Sequence, residues 1–253
     1  SALSVADRLT NQFGLPPKTV ISQRDVPGMS KSVISTLASS TPIKYITVGV
    51  NGASAPPAVP RMFWWKNGPA KLFTIYHPGD YGGIEPTDLY TLENCTVALA
   101  IDVKGDNQGP QLPNEVFQSL DHIHSYSGAE VIPSTYDDFF KEFQSCIDQS
   151  NNIPTVDKEI GDTWIYGVPS DVAKVARFRA VMRARGEYCA ESLESGHFCP
   201  TPNMTITSPS KIDESIIDFD RVLIKNAEHT WGIDVKTYLN DTTNWTNKQF
   251  RAH

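Results

Sequence analysis

The amino-acid sequence predicts an α/β fold, with strand and helix alternation over residues 1–156 and a helical domain over residues 157–253. Short apolar runs alternate with helical patterns up to about residue 150. From Asp157 onward the spacing of apolar residues becomes helical. The chain has 253 residues, of which 40% are hydrophobic, so it can bury substantial cores and a disordered chain is excluded.

The first elements predict a strand, loop, helix and strand in succession. They are a helix over residues 5–13 that ends at Gly14, a strand at residues 19–22, a helix over about 29–39 and a strand at 45–50. Asp25 lies in the loop after the first of these strands. Such loops lie at the carboxyl edge of the sheet, where α/β folds place their ligands.

The middle of the chain continues this alternation. The predicted elements are a hairpin of strands MFWW and KLFTIY joined at Lys66-Asn67-Gly68, a strand over 97–103, a helix around 116–123, a short strand at 129–132 and a helix around 139–147. Beyond Asp157 two helices are predicted, one carrying Val172 to Met182 with Ser170 as its N-cap and one over about 212–225.

Charge and hydropathy exclude two classes of partner. The net charge is -7 and no run of Lys or Arg exceeds a pair, so the basic surface that grips a phosphate backbone is missing and nucleic acid is not expected. No apolar stretch approaches the roughly 20 residues that cross a bilayer, so no membrane association is expected.

Sequons and cysteines predict a secreted protein or one in the lumen of the secretory pathway. The glycosylation sequons begin at Asn94, Asn203, Asn240 and Asn244. The four cysteines lack C-x-x-C spacing, which favours disulfides over a zinc ribbon. Cys189 and Cys199 flank a short glycine-containing segment and are predicted to pair, whereas Cys95 and Cys146 are expected to be buried thiols.

Four aspartates lie in turns rich in glycine or proline, after apolar runs: Asp25, Asp80, Asp106 and Asp162. Retaining glycosidases need two carboxylates about 5 to 5.5 Å apart, one ionised and one protonated. The simpler interpretation of any single member is that Asp beside Gly stabilises a turn with its own side chain. The set as a whole indicates carbohydrate chemistry.

His229 is the histidine with the most suggestive neighbours. It follows an amphipathic helix and has Glu228 and Trp231 close by in sequence. Imidazole and carboxylate suit zinc, and an aromatic ring can stack on a sugar. The alternative is a buried histidine whose partner is a neighbouring carboxylate. His77, in YHPGDYGG, has the same two interpretations.

The order of these motifs resembles glycoside hydrolase family 38, the α-mannosidases. The segment from Gln23 to Ser30 is similar to the family's nucleophile segment, which implies that Asp25 both attacks the anomeric carbon and coordinates zinc. Lys104-Gly105-Asp106-Asn107 resembles a Gly-Asp-Asp turn and implies Asp106 as acid/base, with Asn107 at the second aspartate position. The segment that starts at Trp164 also has a counterpart, and Glu228 to Gly232 occupies the place of a segment that would make His229 a zinc ligand.

The resemblance implies a partial (β/α) barrel-like catalytic part and covers the middle of the family's length. The family's N-terminal His-x-Asp zinc ligands and its C-terminal β-rich region have no counterpart in this sequence. An additional polypeptide from the same precursor is therefore expected to supply them.

Together these observations predict a retaining, zinc-dependent glycoside hydrolase that acts on an oligo- or polysaccharide. The cofactor is zinc or another divalent cation. The residues expected to shape the sugar pocket are Asp80, Tyr81, Asp162, Trp164 and Trp231. Two alternatives remain: a non-catalytic carbohydrate-binding or scaffold remnant of the same fold, and a polysaccharide lyase with Tyr81 or His77 as its base.

Overall fold

The computed structural model describes residues 2–25, 29–50, 57–78, 81–105, 108–160, 172–194 and 214–226, together with Lys248. The chain forms two compact units. One is Ala6–Ile165, and the other combines Ser1–Val5 with Tyr166–His253. The predicted boundary between residues 156 and 157 stays a prediction.

The described elements follow in the order α1 (Ala2–Gln12), β1 (Val20–Asp25), α2 (Val33–Ser40), β2 (Tyr45–Val50), β3 (Met62–Asn67), β4 (Ala70–His77), α3 (Pro113–Ser127), α4 (Tyr136–Gln149), β5 (Thr155–Val156), α5 (Val172–Glu194) and α6 (Glu214–Lys225). Each of these helices overlaps one that the apolar spacing predicts. The four strands before Pro78 are also those that the sequence predicts.

The described strands form one mixed five-stranded sheet in the order β1-β2-β4-β3-β5. Strands β1, β2 and β4 run parallel, β3 is antiparallel to β4, and β5 is parallel to β3. The α/β prediction is therefore confirmed. Within the described residues β1 and β5 are the two edges of this sheet, and the strands do not show a barrel.

Both faces of the sheet are covered, which is why all six residues of β2 are buried. On one face, α4 packs its phenylalanines against β2 and β4. The rings of Tyr45 and Phe140 stack with centroids 4.1 Å apart, and Phe73 meets Phe140 edge to face. On the opposite face of the sheet, α2 packs near β3 and β4 and buries Ile34 and Leu37.

The hairpin prediction is confirmed with a small shift. Asn67 pairs with Ala70, so the connecting residues are Gly68 and Pro69. Gly68 has φ +59, a left-handed conformation that glycine adopts at little cost.

Two predicted strands are wrong. In the segment 97–103 only Leu99 pairs, through an isolated bridge to Tyr90, and Val103 is 45% exposed. The segment 129–132 contains no strand, and Ile132 is 68% exposed. Ile101 is buried and Val97 and Leu99 pack against the core, so apolar residues in the segment 97–103 pack without forming a strand. Strand β5, which is only two residues long, gave no periodic signal to predict it.

The expectation of buried thiols at Cys95 and Cys146 is wrong, because these residues form a disulfide that ties the loop before residue 97 to α4. Cys189 is also disulfide-bonded, and its predicted partner Cys199 lies outside the described residues.

In the second unit, α5 and α6 are joined by a bidentate ion pair. Arg185 Nε and Nη2 donate to the two carboxylate oxygens of Asp220 at 2.6 and 2.8 Å, and the Asp220 side chain is 2% exposed. None of the helices in the described part of the chain has the length and apolar character that a membrane span requires.

Candidate functional site at the carboxyl edge of the sheet

Three parallel strands end at the same edge of the sheet. Strand β1 ends at Asp25, β2 at Val50 and β4 at His77. Asp25 pairs with Val50, and Gly49 pairs with His77, so the three ends lie side by side. In open α/β sheets this carboxyl edge is where ligands bind.

A glycine makes room at this edge for a long basic side chain. Arg24, Gly49 and His77 are laterally paired on the three strands, so they belong to the same face of the sheet. A Cβ atom added to Gly49 would lie 2.6 Å from Arg24 Nη1 and 3.2 Å from Tyr81 Cα. The Arg24 guanidinium therefore extends over Gly49, toward the strand that carries His77.

Asp25 is held in an uncommon backbone conformation. Its φ is 72°, in the left-handed region that non-glycine residues seldom occupy and that aspartate tolerates better than most. Its carboxylate accepts a hydrogen bond from the Tyr81 hydroxyl. The loop after β4 thus orients the carboxylate at the end of β1.

The Arg24 side chain is fixed by the first residue of α4. Its Nη2 donates to the Tyr136 hydroxyl, and its guanidinium carbon lies 5.6 Å from the centroid of the Tyr136 ring. Its Nη1 is buried and has no hydrogen-bond partner among the described residues. One arm of the guanidinium is therefore anchored, and the other remains available.

His77 is a buried, neutral histidine. Only 3% of it is exposed, and its Nδ1 lies 2.5 Å from the Tyr90 hydroxyl. Burial, together with the positive charges of Arg24 and Arg61, lowers the pKa of His77 from 6.5 to about 3. Burial also raises the pKa of Tyr90, so both groups are uncharged at neutral pH.

Arg61 completes the cluster from the residue before β3. Its guanidinium lies 4.0 Å above the centroid of the Tyr90 ring, and it donates to the backbone carbonyls of Thr87 and Asp88 at 2.6 and 2.7 Å. An open cleft of about 250 Å³ lies here, and its walls include Arg61, His77, Gly82, Thr87, Asp88 and Tyr90.

Of the residues predicted from the sequence, Asp25 and Tyr81 are brought into direct contact. Asn94 is exposed in a turn, with φ 63. The other predicted site residues lie outside the described part of the chain: Asp80, Asp106, Asp162, Trp164, His229 and Trp231, and the sequon asparagines Asn203, Asn240 and Asn244.

The segment that leads to Asp106 starts near the loop of Tyr81. The Ile101 N–H donates to the Gly83 carbonyl at 3.1 Å, and Ile101 packs so closely on Gly82 that a Cβ there would lie 2.6 Å from it. Lys104 is then held by Glu115, the first-turn acid of α3, at 2.7 Å. Both ends of this short segment are thus anchored before residue 106 is reached.

Sequence reasoning missed the roles of Arg24, Arg61, Tyr90 and Tyr136. A signal existed for Arg24, because it directly precedes Asp25 at the end of a predicted parallel strand. Arg61, Tyr90 and Tyr136 reach the site through tertiary packing, and no local pattern marks them.

The described residues do not by themselves build a metal centre. Among them, no three His, Cys, Asp or Glu side chains form a group that could hold a metal ion. Asp25 is described, whereas its predicted fellow ligand His229 is not. Asp25 is therefore the one candidate zinc ligand that the described residues place at this site.

Comparison with known proteins finds one family. Residues 168–253 match the model of a domain of unknown function (DUF5054). No curated protein and no solved structure matches the chain.

Proposed function

We propose that this chain is a retaining glycoside hydrolase in which Asp25 is the nucleophile. The observation that carries the proposal is the carboxylate of Asp25, which lies at the carboxyl end of a parallel strand and is oriented by the Tyr81 hydroxyl. The hydroxyl fixes the orientation of the carboxylate, and a nucleophile must be held in line with the carbon that it attacks.

In this mechanism Asp25 attacks the anomeric carbon as the glycosidic bond breaks, which gives a covalent glycosyl-enzyme. A second carboxyl group protonates the departing oxygen and then removes a proton from the water that releases the sugar. Asp106 is proposed for that role. The anchoring of Ile101 beside the Tyr81 loop supports it, since the segment to Asp106 begins there.

Zinc is part of the proposal, with Asp25 and His229 as two of its ligands. When bound, it would polarise sugar hydroxyls and stabilise negative charge. The steps assigned to Asp25, Tyr81 and Asp106 do not depend on it. The remaining zinc ligands are proposed to come from an additional polypeptide, and the barrel-like architecture of the catalytic part is proposed with them.

A secretory location is proposed on three observations. They are the four sequons, the exposure of Asn94 and the Cys95–Cys146 disulfide. Disulfides persist in oxidising compartments, and a glycan needs an exposed acceptor.

The test compares Asp25→Asn with wild type on a panel of aryl glycosides. We expect turnover to fall by several orders of magnitude, because the amide cannot form the covalent intermediate. Asp121→Asn, which changes an exposed carboxylate on α3, is the matched control and should retain activity. Intact-mass analysis with a slow fluorinated glycoside should show one sugar attached to wild type and none to Asp25→Asn.

Equal turnover by wild type and Asp25→Asn would remove Asp25 from the mechanism. Saturable sugar binding by a wild-type protein without turnover would favour the carbohydrate-binding remnant instead. The lyase alternative is weakened at His77, because a pKa of about 3 makes this group a poor base at neutral pH.

A further inference from the structure

Two buried nitrogen atoms at the carboxyl edge lack hydrogen-bond partners among the described residues. They are Arg24 Nη1 and His77 Nε2. Buried polar atoms are nearly always paired in native proteins, because an unpaired one loses its hydration without replacement. Their location on laterally paired strands, on either side of Gly49, indicates that one ligand group could satisfy both.

The proton positions can be assigned from the distances. The Tyr90 hydroxyl lies 2.5 Å from His77 Nδ1 and 3.4 Å from the Tyr76 carbonyl, and we assign its proton to the shorter contact. A neutral imidazole that accepts at Nδ1 carries its own proton on Nε2. Arg24 Nη1 is a donor in any case, and with this assignment His77 Nε2 is a donor as well.

The charge around these donors is positive. The positive charges of Arg24 and Arg61 act to lower the pKa of both His77 and Tyr90, so the two guanidinium groups lie near the same pair of side chains. The carboxylates of Asp88 and Asp25 already accept hydrogen bonds. Asp88 accepts from the Glu85 N–H at 3.1 Å, and Asp25 accepts from the Tyr81 hydroxyl. Converging donors beside positive charge are the environment that an anionic oxygen prefers.

We propose that Arg24 and His77 bind the carboxylate of an acidic sugar seated in the cleft beside Tyr90 and Arg61. The cleft, at about 250 Å³, is smaller than the roughly 300–1,000 Å³ of sites for drug-sized ligands, so it suits a single sugar unit. The carboxylate is inferred from the donors alone, whereas the sugar rests on the proposed glycoside hydrolase function. A uronic acid residue of the substrate combines both.

The test measures binding of galacturonate and galactose, and of glucuronate and glucose, to the wild-type protein by calorimetry at pH 7. We expect at least one uronate to bind roughly tenfold to a hundredfold more tightly than its neutral counterpart, since a hydrogen bond to a charged group has that effect. Equal affinity for uronates and neutral sugars, or no binding by either, would overturn the proposal. Water would then be the partner of these donors.

Variants then locate the carboxylate. Arg24→Met should remove the preference for the uronate, and Arg24→Lys, which keeps the charge, should retain part of it. Arg221→Met is the matched control, because Arg221 is exposed on α6. A preference that survives in a folded Arg24→Met protein, judged by its circular dichroism, would contradict the assignment.

Asp25→Asn separates this inference from the proposed function. If the wild-type protein hydrolyses no glycoside but Asp25→Asn still binds the uronate, the carboxylate site is supported and the hydrolase function is contradicted. Hydrolysis that depends on Asp25, without any preference for uronates, would do the reverse.

Discussion

At the scale of single residues, His77 couples the candidate site to pH. Its imidazole is enclosed by the sheet and by Tyr90, and the two arginines that flank it, Arg24 and Arg61, oppose a further positive charge. The carboxylate of Asp88 lines the same cleft but is engaged by the Glu85 N–H. His77 therefore stays neutral in the folded protein well below the pH at which a free histidine gains a proton.

This difference predicts a loss of stability in mild acid. The pKa of His77 is about 3 in the folded protein and 6.5 in an unfolded chain, so between these values the unfolded state binds more protons. The contribution of His77 is fully present above pH 6.5 and declines as the pH falls toward 3. The loss of this contribution between pH 7 and pH 5 should lower the free energy of unfolding by about 2 kcal/mol.

Urea unfolding of His77→Gln at both pH values measures this contribution, because glutamine does not titrate. The variant should lose less stability than wild type over the interval. His124→Gln, at an exposed position of α3, should behave as wild type does. An identical pH dependence in wild type and His77→Gln would mean that His77 is protonated equally in both states.

The residues of the site also mark what sequence could and could not predict. Asp25 was predicted as a site residue because it follows a parallel strand, and the strand order alone places such a residue at the carboxyl edge of the sheet. Tyr81 was predicted as a sugar contact, and its contact with Asp25 depends on how the loop after β4 folds back. Arg24 escaped notice because its role requires the glycine at position 49, on a strand that follows some twenty residues later.

At the scale of elements, amphipathic helices were the most predictable parts. Helix α4 carries Phe139, Phe140, Phe143 and Ile147 on one face, and all four are buried. In the segment 97–103, predicted as a strand, every residue except Asp102 is apolar, but the segment forms only one isolated bridge. The sequence shows which residues are apolar, whereas strand pairing depends on which strands are neighbours in the folded protein.

The link between α5 and α6 allows a prediction with an internal control. Asp220 is buried and paired with Arg185, whereas Asp218, two residues earlier, is exposed and paired with Arg221 on the same helix. Asp220→Asn should lower the free energy of opening of α5 and α6 by about 3 kcal/mol, because it leaves a poorly hydrated guanidinium without its carboxylate. Asp218→Asn should change it by less than about 1 kcal/mol.

Hydrogen exchange read by mass spectrometry follows these two helices separately from the rest of the chain. Faster exchange of α5 and α6 in Asp220→Asn, with wild-type rates in Asp218→Asn, is the expected result. Similar rates in the two variants would mean that the buried pair adds no more than the exposed one.

At the scale of the whole molecule, the proposed chemistry depends on residues from distant parts of the chain. Parallel strands bring Asp25 and His77 to one edge although some fifty residues separate them, and this placement follows from the order of the strands. The sequence predicted the parallel alternation, and so it predicted where a site should form. It did not predict the basic cluster, because Arg61 and Tyr90 arrive there through the hairpin and the loop after β4.

Zinc content is the prediction that tests the proposed metal site as a unit. A metal ion that requires both Asp25 and His229 should be retained by the native protein after dialysis, at one ion per chain, and should be lost in either Asp25→Asn or His229→Gln, because removing a ligand weakens binding strongly. Plasma mass spectrometry measures the metal directly, without reference to activity. Asp121→Asn and His124→Gln, which remove an exposed carboxylate and an exposed imidazole, should keep their zinc. Wild-type protein without a divalent metal, or full zinc content in Asp25→Asn, would contradict the metal site while leaving the role of Asp25 as nucleophile to be decided by the glycoside assay.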